Sequence, residues 1–381
     1  MDIREEFERN LRTLTEEIKQ KANNAEDYED KPVKKKTIMK KIEGVILDVV
    51  ESVQKGKPLR LDVKNFRDWD NCTYADRLIL KPDKEVTTCK VVFDSERSQR
   101  KYTIIVHLLS KIYQMLNQGL TSTRRELYYK DVELLQSQDI VDEAIKIICC
   151  LLNTPPWQLG VFGTSKGLVA GHLVLQTNTK DTIDCLSPGG VLIPQDVLSL
   201  KPVSKAKFIL IVEKDATFQT LLDEKILDRY KLILITGKGF PDLNTRLLVR
   251  LLTNTLKIPV FMIADADPHG MEIMCVYRYG SLTMSEHAQM LAVPEIHWLG
   301  VHPSDIEILH LTKIPFTRAD EDKLNSLASR VYTLANTKLV KEIGILKKLN
   351  SKAEIESVSS LAKNNLTNFY IEFKIAANQL I

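Results

Sequence analysis

The 381-residue sequence has no C-x-x-C pair among Cys72, Cys89, Cys149, Cys150, Cys185 and Cys275, which argues against a zinc ribbon and leaves no disulfide framework. No apolar run approaches the ~20 residues of a membrane span, and Met1 to Glu6 lacks the apolar core of a signal peptide. These absences predict an intracellular, reduced protein with no membrane partner. A net charge of only +3 does not announce nucleic acid, so any basic surface is local. No G-x-x-x-x-G-K-[ST] loop occurs, which removes an ATP site of that type. What remains, 44% hydrophobic and 27% charged residues, is ordinary globular composition with length for two or three domains.

Two strands are predicted to bring three carboxylates to one place. Phe208 to Val212 and Pro259 to Ala264 are continuous apolar runs, as buried parallel strands are. Glu213 ends the first, and Asp265 and Asp267 follow the second. Between them lie a helical stretch from Asp215 to Arg229, a third apolar run from Leu232 to Ile235, a Gly-Lys-Gly turn and a second helical stretch from Leu243 to Leu256. Right-handed crossovers make this β-α-β-α-β unit parallel, so its carboxyl ends share the edge where α/β sites lie. Clustered carboxylates of this kind suit Mg²⁺, or Mn²⁺, holding a phosphate. The stretch resembles a Toprim domain, whose pattern is a Glu after one strand and Asp-x-Asp after a later one.

Upstream, Phe7, Leu11, Leu14 and Ile18 recur at helical spacing within Ile3 to Ala22, an amphipathic helix suited to docking a partner. Asn23 to Pro32 reads as a linker. Lys34 to Lys36 and Lys40-Lys41 lead into a second helix, Thr37 to Gln54, where they form a solvated face, an import signal or a phosphate contact. A helix from about Lys101 stops at Gly119. Thr123-Arg124-Arg125-Glu126 fits a capping box opening a short helix with Leu127-Tyr128-Tyr129. A further helix (Asp139 to Leu152) and a glycine-punctuated hairpin across Leu159 to Ala170 complete the pattern of a winged helix, usually a DNA reader.

Arg125 and Tyr129 stand four residues apart on one helix face, as do Arg124 and Tyr128. A guanidinium there neutralises a phosphodiester while a phenol attacks it, a reaction that a phenol of pKa ~10 performs poorly unaided. Spacing alone does not choose between the tyrosines.

Arg-Arg-Glu-Leu-Tyr-Tyr in a winged helix, then Thr164-Ser165-Lys166-Gly167, then the Toprim pattern, together resemble the topoisomerase VI A-subunit family. Leu210 to Phe218, Thr236 to Gly239, Pro241 to Arg246 and Asp265-Ala266-Asp267-Pro268 are most similar to its eukaryotic meiotic double-strand-break members. The resemblance implies an α/β protein in three parts: a helical extension (1–58), a winged-helix domain (59–175), and a Toprim domain with C-terminal helices (176–381). It implies Tyr129 as nucleophile assisted by Arg125, Glu213, Asp265 and Asp267 as Mg²⁺ ligands, and Lys166, Lys238 and Phe240 against DNA. It further implies action on duplex DNA in the nucleus, a second copy of the chain completing each site, and a B-subunit-like partner. Where many relatives carry Tyr after Asp-Pro, this chain carries His269. The alternatives are the A subunit of an ATP-dependent type IIB topoisomerase and a non-catalytic DNA-binding scaffold.

Overall fold

The computed structural model describes residues 2–24, 34–82, 84–179, 181–362 and 365–381. Five helices dominate the N-terminal half: α1 (Ile3–Asn24), α2 (Lys35–Gln54), α3 (Glu96–Gln118), α4 (Arg124–Lys130) and α5 (Gln138–Leu152). The buried side of α3 is the one its spacing predicts, from Ile104 through Leu116, and Gly119 ends it at φ 69°, a left-handed turn that glycine takes without strain. Thr123 and Glu126 close both halves of the capping box, so α4 begins at Arg124. The antiparallel pair Arg60–Lys64 and Thr88–Val92 joins α2 to α5 around one apolar core.

The second core surrounds a six-stranded sheet: β1 (Leu168–Gly171), β2 (Val191–Leu192), β3 (Phe208–Val212), β4 (Leu232–Thr236), β5 (Val260–Ile263) and β6 (Ile296–Gly300), in spatial order β2-β1-β4-β3-β5-β6. The β4-β3-β5-β6 part is parallel, and β1 and β2 add antiparallel. Every residue of β3, β4 and β5 is buried, as their unbroken apolar runs predict. Helices α6 (Asp215–Asp223), α7 (Leu243–Leu256) and α8 (Pro268–Arg278) follow β3, β4 and β5. The helix expected to run from Asp215 to Arg229 is broken at Lys225, whose φ of 57° starts a separate turn. The charged C-terminal segment completes this core, burying Leu324, Leu346, Ile371 and Ile375 in it, and the Trp298 N–H donates to the Ile381 carbonyl.

Two expectations are corrected. The hairpin across Leu159 to Ala170 does not form: Val161–Phe162 pairs in parallel with Ser122–Thr123, while β1 pairs with β4. The intervening Gly163–Gly167 loop is held open by α7, because Asp242 Oδ2 accepts the Lys166 and Gly167 N–H groups and Asn244 Nδ2 donates to Ser165 Oγ. The apolar stripe of α1 is not left for a partner. Phe7 is 1% exposed, its ring edge-on to Phe208 at 6.2 Å, and Asn10 Nδ2 donates to the carbonyls of Ile375 and Ala376. The chain's own sheet domain takes up Phe7, Leu11 and Leu14 of that stripe. Residues 25–32 of the expected linker lie outside the described residues. Part of the lysine run is also spoken for: Lys41 Nζ donates to the Leu152 carbonyl at the end of α5, and Lys35 Nζ to that of Asn117.

Candidate active site

Parallel pairing of β3 with β5 sets Glu213 against Asp265. The Glu213 N–H donates to the Ile263 carbonyl at 3.1 Å, and the Asp265 N–H donates to Glu213 Oε2 at 2.9 Å. Asp267 caps α8, its Oδ1 accepting the Gly270 N–H at 2.6 Å. Gly270 is required for this closeness. A Cβ there would stand 2.5 Å from the Asp265 carbonyl oxygen and 2.9 Å from Glu213 Oε2.

These carboxylates carry more negative charge than the protein compensates. Burial, and then the charges of Asp265 and Asp267, push Glu213 up to about 8. Burial raises Asp265 to about 6, with the Ile355 N–H and Lys214 opposing it and Asp267 adding to it. Lys214 supplies the main counter-charge, its Nζ 2.9 Å from Asp265 Oδ2 and 2.8 Å from Glu356 Oε2. Burial works against that ammonium, yet Glu356 and Asp265 hold its pKa above the ordinary value. Among the described residues no three His, Cys, Asp or Glu side chains already stand in a metal-ligating array. The donor chemistry nonetheless fits a hard divalent cation: three carboxylates whose charge Lys214 offsets only in part, of which Glu213 Oε1 and Asp267 Oδ2 accept no hydrogen bond among the described residues.

The loop after β4 folds over the same edge. Its Gly239 N–H donates to the Glu213 carbonyl, Lys238 adopts φ 53°, and Phe240 is exposed. Lys166 reaches it across the Gly163–Gly167 loop, Nζ donating to the Lys238 carbonyl at 3.2 Å, while Lys238 Nζ pairs with Asp215 at 3.0 Å. Lys166, Lys238 and Phe240 are therefore neighbours at the carboxylate edge.

The tyrosines sit elsewhere, on α4. Tyr128 is half-buried against the first core, whereas Tyr129 is 59% exposed. Arg124 is tied to Asp142, and Arg125 Nη2 lies 3.4 Å from the Tyr129 hydroxyl with its guanidinium 5.6 Å from the ring centre. Spacing left two equivalent pairs; packing leaves only Arg125 and Tyr129 open to solvent. Within one chain their described contacts do not include Glu213, Asp265 or Asp267.

The family model for the Toprim domain of the topoisomerase 6 A-subunit/Spo11 proteins matches residues 208–375, and that for type IIB DNA topoisomerase matches residues 100–161. The human meiotic recombination protein SPO11 is 39% identical over 345 residues, covering 89% of this chain and 87% of that protein. The chain belongs to the topoisomerase VI A-subunit/Spo11 family. Its six-stranded sheet is that of a Toprim domain, a type that typically binds Mg²⁺, in a family whose members cleave DNA. The mouse SPO11 protein is also 39% identical, over 344 residues with the same shares, and the DNA topoisomerase 6 A-subunit of Arabidopsis thaliana is 33% identical over 348 residues, 89% of this chain and 80% of that one.

Lys214 and Asp242 lie in motifs of the sequence that assign them no role, and Gly270 lies in none. Asp242 had a legible signal, an Asp three residues before Thr245 at a helix start, and it proves to cap α7 while clamping the Lys166 loop. Lys214 had none, because the two carboxylates its ammonium bridges, Asp265 and Glu356, come from distant parts of the chain.

Proposed function

We propose that the protein forms meiotic DNA double-strand breaks by transesterification. The observation that carries this reading is the open Arg125–Tyr129 pair, with the nucleophile exposed and a guanidinium at its oxygen. The Tyr129 oxygen gives up its proton and attacks a backbone phosphorus, the 3′ oxygen leaves as a hydroxyl, and a 5′-phosphotyrosyl link remains. Arg125 neutralises the phosphodiester that the phenol approaches. Glu213, Asp265 and Asp267 hold Mg²⁺, or Mn²⁺, which supplies Lewis-acid stabilisation of phosphate charge. Lys166 and Lys238 hold the backbone beside these carboxylates, and Phe240 lies against the duplex.

Because the described contacts of Tyr129 include none of the carboxylates, a second copy brings its Tyr129 to each carboxylate site, and two copies cut both strands. The work is nuclear, in a complex with a B-subunit-like partner. The division into an extension (1–58), a winged-helix domain (59–175) and a Toprim domain (176–381) belongs to this reading. The 33% identity to the Arabidopsis topoisomerase protein favours a second reading, the A subunit of an ATP-dependent type IIB topoisomerase.

The test incubates the purified protein and its partner with labelled duplex and Mg²⁺, and denatures before any protease. Covalent label on wild type establishes the transesterase. Tight binding without label under every metal condition establishes a scaffold instead. Strand passage on supercoiled DNA with ATP distinguishes the topoisomerase.

A further inference from the structure

A cleft of about 570 Å³ opens beside Phe240, between the α4 and α5 side of the winged-helix part and the α7 and α8 side of the Toprim domain. None of Glu213, Asp265 and Asp267 lines it, so it is separate from the metal carboxylates. Four cations line it, Arg124, Lys146, Arg246 and Arg330, against the carboxylates of Asp242 and Glu272. Two of those cations already have partners: Arg124 pairs with Asp142 and Arg330 with Glu272. Lys146 has no ion pair among the described residues.

Arg246 is the unusual one. It is 3% exposed, yet among the described residues its side chain makes one hydrogen bond, from Nη1 to Ser281 Oγ at 3.3 Å, and Nε and Nη2 are buried with no partner there. Those two nitrogens are the side-on fork of a guanidinium, whose parallel N–H bonds match two oxygens of one tetrahedral or planar oxyanion. Leaving a buried guanidinium unpaired is costly, and Arg246 is one of the residues that line the cleft. Burial pulls the Arg246 pKa down to about 10, the direction expected of a cation lacking a counter-charge. Asp242 does not fill this role: its oxygens accept from Thr245, Lys166 and Gly167. Two cations in excess of the carboxylates favour a phosphate over a single carboxylate.

We propose that this cleft is a phosphate-binding site. Arg246 grips two oxygens of one phosphate through Nε and Nη2, and Lys146 adds its charge from α5, so that the anion links the winged-helix part to the Toprim domain. The phosphate comes from a free anion, such as inorganic phosphate or pyrophosphate, or from the backbone of bound DNA.

The experiment follows thermal unfolding of the full chain, free of divalent metal, against sodium phosphate and pyrophosphate, with sodium chloride at equal ionic strength as the reference. In parallel it measures the salt dependence of binding to a short duplex. Wild type, Lys146→Ala, Arg246→Lys and Arg246→Met are compared. A saturable rise in Tm with phosphate or pyrophosphate, weakened about tenfold or more in Arg246→Met and Lys146→Ala and in part in Arg246→Lys, assigns a free anion. No response to free anions, with the slope of log affinity on log salt reduced by about one in Arg246→Met, assigns a DNA phosphate. Variants indistinguishable from wild type in both arms overturn the proposal. If Arg246→Met does not fold, Lys146→Ala on the half-buried wall decides alone. Neither readout needs cleavage, so Tyr129→Phe protein gives the same result, and failure here is distinct from failure of the transesterase reading.

Discussion

Arg125 Nη2 stands 3.4 Å from the Tyr129 hydroxyl on the open face of α4, while the neighbouring Tyr128 ring turns onto the core. A phosphodiester approaching that oxygen therefore meets the guanidinium as well. Tyr129→Phe is expected to abolish the covalent protein–DNA product, and Tyr128→Phe to retain it. Arg125→Ala should slow its formation by ~10²-fold or more, the usual loss when one donor to transition-state charge is removed. Gel analysis of label retained on denatured protein reads all three. Label retained by Tyr129→Phe would end the assignment.

The carboxylate cluster predicts a pH dependence with a definite sign. Glu213 is pushed up to about 8, against ~4.3 in an unfolded chain. Between those values the native protein binds a proton that the unfolded chain does not, so stability of the metal-free protein falls as pH rises towards 8. Buried His287 and His302 and half-buried His297 act oppositely and at lower pH. Burial, and then nearby cations, pull each down to about 4, so their effect is confined below ~6.5, where the unfolded chain takes up protons first. From pH 7 to 8.5 the Tm of metal-free wild type should decline and that of Glu213→Gln should stay flatter. Mg²⁺ should raise Tm more at pH 8.5 than at pH 7, because the cation competes with the proton. A larger Mg²⁺ effect at the lower pH would contradict the assigned ligands.

Much of this site was legible because its parts are local. Glu213 and the Asp265-Ala266-Asp267 triplet end apolar runs, and continuous apolar runs are what strands buried on both faces require. The capping box fixed the start of α4 and hence the shared face of Arg125 and Tyr129. What was hidden depends on residues far apart in the chain. The stripe of α1 reads identically whether it meets a partner or Phe208. Leu168 to Gly171 alternates no differently in a hairpin than beside β4. Lys214 acquires its role only when the segment carrying Glu356 returns to the carboxylate edge.

Gly270 limits how closely α8 approaches the cluster. A methyl group there would stand 2.5 Å from the Asp265 carbonyl oxygen and 2.9 Å from its nitrogen, both backbone atoms with little freedom to yield. Gly270→Ala should cost about 1–3 kcal/mol as an overpacked contact and should weaken Mg²⁺ binding by displacing Asp265. Calorimetric titration of Mg²⁺ together with urea unfolding measures both. An unchanged Mg²⁺ affinity in a folded variant would show that the cluster does not depend on this approach.

The N-terminal helix is expected to act as part of the Toprim core. Phe7 fills a site between Phe208 and Tyr230, with ring centres 6.2 and 5.4 Å away. Phe7→Ala should destabilise by about 3–5 kcal/mol, the cost of emptying a buried aromatic site, and deletion of residues 1–22 should do at least as much. Denaturant unfolding provides the measurement. A deletion that left stability unchanged would return the helix to partner docking.

Asp305, after β6, is held by a buried network. Lys374 is 3% exposed; its Nζ lies 2.7 Å from Asp305 Oδ1 and 3.1 Å from His302 Nδ1, while the Tyr370 hydroxyl donates to Asp305 Oδ2 at 2.6 Å. This network fastens the C-terminal segment beneath β6. Lys374→Met removes one charge and strands the other, so it should cost about 3–5 kcal/mol. Adding Asp305→Leu removes the stranded carboxylate and should recover part of that loss, because a buried pair replaced on both sides is often near neutral. Urea unfolding of the two variants decides. If the double substitution is no more stable than the single one, the hydrogen bonds that Asp305 accepts from the Tyr370 hydroxyl and the His302 N–H outweigh the stranded charge.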